Sequence, residues 1–168
     1  RQDDGNSNQE PEDFALELIP HFDDQENHFR EIVGDSQTRL TLCKIACLLH
    51  DIAKPTTRTI DNNNRIRFLG HDKKGSEMTE VILKRLRFSR AATSIVATQV
   101  RQHLRPSQMA PKGELPSKKA MYRYYRDLGE ESIDTLFLNM ADYMAARGPM
   151  ERKSDGKGKR EDLGGRRI

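Results

Sequence analysis

The sequence contains no apolar run approaching the ~20 residues that a membrane-spanning helix requires. It also shows no signal-peptide pattern. A soluble, cytoplasmic chain without a membrane partner is therefore expected. Cysteine is scarce, with only Cys43 and Cys47 present. The two sit one helical turn apart in an apolar pattern, and no second cysteine pair exists to complete a zinc knuckle. They read as small buried hydrophobes. Strong net charge is missing too: 29 Lys and Arg against 26 Asp and Glu leave +3. That balance permits contact with phosphates without demanding it. No internal repeat is visible.

What is present suits one domain. The chain has 168 residues, 35% hydrophobic and 33% charged, which implies a modest core under a highly charged surface. The polar start, over positions 1–13, is expected to be a disordered or linker segment continuing from an upstream domain. The folded domain is expected over 14–149. Phe14 to Phe22 suggests a short helix closed by Pro20, and Asp24 to Val33 a second, stopped by Gly34. Asp35 or Ser36 can cap a longer helix running from Leu40 to Ile52, apolar on most sides and ended by Pro55. This helix should run through the middle of the domain. Thr57 to Ile60 and Arg65 to Phe68 alternate in type around Asp61-Asn62-Asn63-Asn64, which predicts a β-hairpin. Two strands alone are marginal, so the hairpin should lie over the helices as a flap.

Helical spacing returns over Ser76 to Arg87, and over Ser89 to Leu104 with Ser89 as the cap. It continues from a Ser117 cap to about Leu128, and from Glu131 to Arg147. Pro106 to Pro116 reads as a loop, and 150–168, rich in glycine and charge, as a flexible tail. The expected fold class is all-α: a helical bundle with one small β-hairpin.

One stretch stands out against this plan. Leu48-Leu49-His50-Asp51-Ile52-Ala53-Lys54-Pro55 sets an imidazole beside a carboxylate at the end of an apolar run, where bare charge is costly unless paired. A divalent metal is the obvious partner. His71, Asp72, His103 and Asp142 recur near the ends or within the other predicted helices, and bundles can aim such residues at one interior point. Adjacent helical residues diverge by about 100°. An ion shared by His50 and Asp51 must therefore sit in the notch between them, which is easier at a helix end. Mixed imidazole and carboxylate ligands suit Mn, Fe, Co, Ni or Zn, and Mg where oxygen ligands dominate. Each residue alone has a simpler reading, as a cap or a core histidine. The apolar surroundings of His50-Asp51 and of Asp142 argue for more.

The block around His50 and Asp51 resembles the signature of the HD-domain metal-dependent phosphohydrolases. Later blocks are similar to the HD domain fused to bacterial tRNA nucleotidyltransferases and poly(A)-polymerase-like proteins. These are Phe68-Leu69-Gly70-His71-Asp72 with Gly75, Leu83-Lys84-Arg85-Leu86-Arg87-Phe88-Ser89, Val100-Arg101-Gln102-His103-Leu104-Arg105-Pro106, and Ala141-Asp142. The resemblance covers roughly Leu40 to Pro149. It implies that His50, Asp51 and Asp142 are metal ligands. His71 and His103 would line the same pocket, acting with Asp51 in catalysis or holding a second ion or the substrate phosphate. The family pattern also begins with a histidine on a preceding helix. His21 and His28 are candidates, but the short interval from His28 to His50 leaves little room for a full helix. The resemblance implies that this ligand is His21 or His28, or is expected upstream of Arg1.

The implied function is metal-assisted hydrolysis of a phosphoester: a nucleotide, a 2′,3′-cyclic phosphate or an RNA end. Lys54, Arg101 and Arg105, the cations nearest in sequence to the motif histidines, are candidate phosphate ligands. No Gly-Ser pair followed by a strand with two alternating aspartates is present, so this sequence lacks a nucleotide-adding head. Two alternatives stand beside hydrolysis. An RNA-binding accessory domain, with a tRNA contact, would use Arg85, Arg87, Arg90, Lys118, Lys119, Arg123 and Arg126 interleaved with Tyr122, Tyr124 and Tyr125. A degenerate HD domain would keep the fold without the metal.

Overall fold

The computed structural model describes residues 24–34, 36–109 and 114–147. The short helix expected over Phe14 to Phe22 and the tail over 150–168 lie outside them. The segment after Asp24 divides rather than forming a single helix. Helix α1 (Gln25–Arg30) gives way to a tight hairpin of β1 (Ile32–Val33) and β2 (Gln37–Thr38). Gly34 turns this hairpin at φ +49°, and a Cβ there would come within 3.0 Å of the Ala92 backbone nitrogen. Both the conformation and the close approach favour glycine. Because Ser36 is used in the turn, capping falls to Thr38, whose hydroxyl accepts from the Thr41 amide at 3.2 Å.

Helix α2 (Arg39–Leu49) follows, burying Leu42, Cys43 and Ala46. It stops short of Ile52. The Ile52 and Lys54 amides bond back to Leu49 and Asp51, and the chain tightens into a 3-10 turn over Pro55–Thr57. The expected hairpin comes next as antiparallel β3 (Arg58–Ile60) and β4 (Ile66–Phe68), with Ile60 opposite Ile66. Asp61 organises its turn by accepting from the Asn63 and Arg65 amides, while Asn64 takes the left-handed conformation.

Helix α3 (His71–Arg85) begins at His71, a full turn earlier than the apolar spacing suggested. Its buried stripe is His71, Gly75, Thr79 and Leu83, and only the last is a large apolar residue. Helix α4 (Arg90–Gln102) starts at the expected Ser89 cap, which accepts from the Ala92 amide at 3.2 Å. Part of the expected loop is a short helix, α5 (Arg105–Gln108). Helix α6 (Lys118–Leu128) starts at the Ser117 cap, and α7 (Glu131–Arg147) ends the described chain.

The core joins four helices: Leu42 and Ala46 from α2, Leu83 from α3, Ala92, Val96 and Val100 from α4, and Leu138 from α7. Helix α4 packs on α2, α3 and α7, so it shares the middle of the domain with α2. Among the described residues the architecture is an all-α bundle, carrying two small hairpins where one was expected. Among the described residues no helix is long and apolar enough to cross a membrane.

Candidate metal centre

Three helix ends converge on one point. His50 is the C-cap of α2, Asp51 follows in the turn, His71 is the first residue of α3 and His103 is the C-cap of α4. Asp142 projects from within α7. The structure brings five of the sequence-predicted residues into two overlapping triads: His50, Asp51 and Asp142, and Asp51, His71 and His103. Asp51 belongs to both. Its Oδ2 lies 3.2 Å from His50 Nε2, and its Oδ1 lies 3.5 Å from His71 Nε2 and 4.0 Å from His103 Nε2. Asp142 Oδ1 closes the first triad at 3.4 Å from His50 Nε2.

The ring orientations are set by backbone. In each histidine Nδ1 meets the carbonyl three residues earlier: Cys47 for His50 at 2.8 Å, Phe68 for His71 at 2.7 Å, and Val100 for His103 at 2.7 Å. A carbonyl oxygen only accepts, so each Nδ1 carries the proton, and in a neutral ring each Nε2 presents a bare lone pair. All three Nε2 atoms lie within 4.0 Å of an Asp51 oxygen, and that of His50 is also close to Asp142. His71 Nε2 and His103 Nε2 also face one another at 3.3 Å. Acceptors crowded this closely repel unless a proton or a cation lies among them.

The orphaned atoms agree. His50 Nε2 and Asp51 Oδ1 are buried and make no hydrogen bond. Leaving such atoms dry and unpartnered is costly. Desolvation pushes the His103 ring below the usual histidine range, which favours a neutral, cation-binding imidazole over a protonated one. Fixing Nδ1 so that Nε2 can ligate is the usual support for a metal-bound histidine. The donor set therefore fits a divalent cation. Its three imidazoles and two carboxylates suit the borderline transition metals. The centre grades from His103, fully buried, to Asp142, about one-third exposed, so it opens on one side.

The remaining candidates sit differently. Lys54 places its ammonium on Asp51 Oδ2 and over the Phe68 ring. Arg105 turns to Asp127, at 2.7 Å, and lies over Tyr124. Arg101 is exposed on α4, and Asp72, in the first turn of α3, joins neither triad. His28 stands apart from the centre: its Nε2 lies 2.7 Å from Asp134 Oδ1. Asp134 also accepts from Arg39 and Gln99, each at 3.2 Å, so His28 serves a buried polar network. Its helix is too short and too soon interrupted by β1 and β2 to bring it to the centre. His21 lies outside the described residues. Cys43 and Cys47 are free thiols, Cys43 buried and Cys47 partly so; the carbonyl of Cys47 is what serves the centre.

Two residues support the centre: Asn139, which was not foreseen, and Gly75, which entered only as part of a matching block. Asn139, one turn before Asp142 on α7, donates to the His103 carbonyl at 2.8 Å and so anchors the end of α4. Its place one turn from Asp142 was the available signal. Gly75 lets α3 lie against α4 and the turn after α2, since a Cβ there would meet Val100 Cγ1 at 3.3 Å and the His50 carbonyl at 3.5 Å. The basic and aromatic residues separate: Arg85, Arg87 and Arg90 surround the turn from α3 to α4, and Tyr124 is buried.

Comparison with known proteins identifies the family. The family model described as "HD domain" matches residues 18–147. The chain is 36% identical over 107 residues to a CC-adding tRNA nucleotidyltransferase from Thermus thermophilus, covering 62% of this chain and 23% of that protein. It is 37% identical over 110 residues to an A-adding tRNA nucleotidyltransferase from Deinococcus radiodurans, covering 64% and 24% respectively. The chain thus spans about a quarter of the length of these curated relatives. With the family match extending over most of its length, the chain belongs to the HD-domain family.

Proposed function

We propose that this centre binds a divalent cation and hydrolyses a phosphoester, with a nucleotide, a 2′,3′-cyclic phosphate or an RNA end as substrate. The observation that carries the reading is the sharing of Asp51 between two triads whose histidines all expose Nε2. His50, Asp51 and Asp142 would hold the cation, and His71 and His103 face the other oxygen of Asp51, where a second ion or the substrate phosphate would sit. A bound divalent cation supplies Lewis acidity and a water acidified toward neutral pH.

The chain's own residues account for the rest. Asp51 orients the attacking water, and His103, kept neutral by burial, offers Nε2 as a proton acceptor. Lys54, already beside Asp51, is placed to move onto a phosphoryl oxygen by a charge-assisted hydrogen bond. Arg101 is open to the same use. Arg105 reaches a phosphate only by leaving Asp127. In the net reaction, water adds to phosphorus and one P–O bond breaks, releasing an alcohol and a phosphomonoester, or inorganic phosphate from a monoester. RNA is favoured as a substrate class because the relatives are named for action on tRNA.

The test is hydrolysis of an aryl phosphodiester by the manganese-loaded chain and by Asp51→Ala. The reading predicts turnover in the first and a loss of at least about a hundredfold in the second. Equal rates would remove it, and a metal-binding chain with no turnover would leave the degenerate domain.

A further inference from the structure

Helix α6 is fastened by a narrow stripe and turns the rest of its surface outward. Tyr124 and Leu128 are buried, with Ala120 beside them, and the Tyr124 hydroxyl donates to the Ser132 carbonyl at 2.6 Å. At about 100° per residue, the opposite side carries, in order around the axis, Tyr125, Lys118, Tyr122, Arg126, Lys119 and Arg123. All six are exposed, the Tyr122 and Tyr125 rings by 67% and 51%. From Lys118 to Arg126 there are four cations and no anion. The first acid, Asp127, is already held by Arg105 and Arg126, each at 2.7 Å. Tyr125 is braced edge-on against Tyr124, with centroids 5.5 Å apart.

Cations alone would make a solvated helix face. Two large rings left in water between them need a different account, because Tyr124 alone supplies the tyrosine that fastens this helix. We infer that this face binds a single-stranded polynucleotide. Unpaired bases stack on Tyr122 and Tyr125, while Lys118, Lys119 and Arg123 meet the phosphates. A duplex keeps its base faces stacked and offers the rings nothing. A protein partner would need an apolar centre, whereas here Lys118 separates the two rings and Arg126, Lys119 and Arg123 fill the remainder of the face. The clasp of Arg105 on Asp127 ties the end of α6 to the segment just past His103, a candidate ligand. That the docked strand also supplies the centre's substrate rests on the hydrolytic reading above; the docking itself does not.

The experiment is fluorescence anisotropy with the full chain and labelled RNA or DNA single strands of about twelve nucleotides, with duplex RNA as a third arm. Engagement of three or four phosphates predicts binding about 20- to 50-fold weaker at 200 mM than at 50 mM salt. Tyr122→Ser with Tyr125→Ser should weaken single-strand binding at least about tenfold. Lys118→Glu with Lys119→Glu should weaken it and flatten its salt dependence. Both variants should keep the wild-type melting temperature and its hydrolysis of the aryl phosphodiester. A strong preference for RNA over DNA would assign the strand to RNA, and equal affinity to either backbone; both support the docking. No binding, tighter binding of duplex, or binding unchanged in both variants would overturn it. So would single-strand binding that fails while the same substitutions alter self-association.

Discussion

Replacing Asp134 with alanine should destabilise the domain without touching the metal centre. The carboxylate is fully buried and takes three donors, from His28 at 2.7 Å and from Arg39 and Gln99 at 3.2 Å. Arg39 is itself 4% exposed, and its other partners, Glu31 and the more distant Glu130, are at the surface. Truncation therefore leaves a buried guanidinium short of one charge and strands the Gln99 amide, whose oxygen already lacks a partner. Breaking a buried pair in this way costs about 3–5 kcal/mol. With a urea dependence of about 2 kcal/mol per molar, the unfolding midpoint should fall by roughly 2 M. Asp134→Asn keeps an acceptor and should recover about half of that.

The same pair of proteins carries a pH signature. Burial lifts the Asp134 carboxyl above the usual carboxylate range, while His28 and Arg39 pull it back. The folded chain thus holds this proton more tightly than the unfolded chain. This group alone makes stability fall as pH rises from the ordinary carboxylate value through the raised one. The advantage of wild type over Asp134→Asn should be larger below that window than above it. A midpoint shift under about 0.5 M for Asp134→Ala, or an advantage growing with pH across the window, would refute the reasoning.

Other outcomes follow from the packing around the centre. Gly75→Val should cost about 1–3 kcal/mol in urea unfolding and weaken metal binding, because its side chain meets Val100 and the His50 carbonyl. Asn139→Ala should lower manganese affinity by about tenfold or more in calorimetric titration while leaving the ligands in place, since it loses the bond to the His103 carbonyl. Lys54→Met should raise manganese affinity by up to about fivefold, as the competing ammonium on Asp51 is removed, yet lower the rate of aryl phosphodiester hydrolysis.

Much of this arrangement was legible in the sequence where it depended on local chemistry. The Ser89 and Ser117 caps, the hairpin around Asp61 to Asn64, and helices α4, α6 and α7 each follow from neighbouring residues. The convergence of His50, Asp51, His71, His103 and Asp142 followed from a family resemblance as much as from spacing. The start of α3 at His71 was legible from the histidine motif following the hairpin, not from hydrophobic spacing: its buried stripe reads His71, Gly75, Thr79, Leu83, and polar or tiny residues give no apolar period. Strands of two residues, β1 and β2, are too short to show alternation. The Asp134 network joins residues 35 to 106 positions apart, beyond any local pattern. Nor could the sequence show the three Nδ1 contacts, since their partners are backbone carbonyls that any residue carries.

Asp51 is common to both triads and should therefore be indispensable to metal binding. Calorimetric titration of manganese into metal-free wild type, Asp51→Ala, Asp142→Ala and His28→Gln tests this most directly. Wild type should bind, Asp142→Ala should weaken binding, Asp51→Ala should abolish it, and His28→Gln should leave it unchanged. Absence of binding in wild type, or equal affinity in Asp51→Ala, would contradict the account.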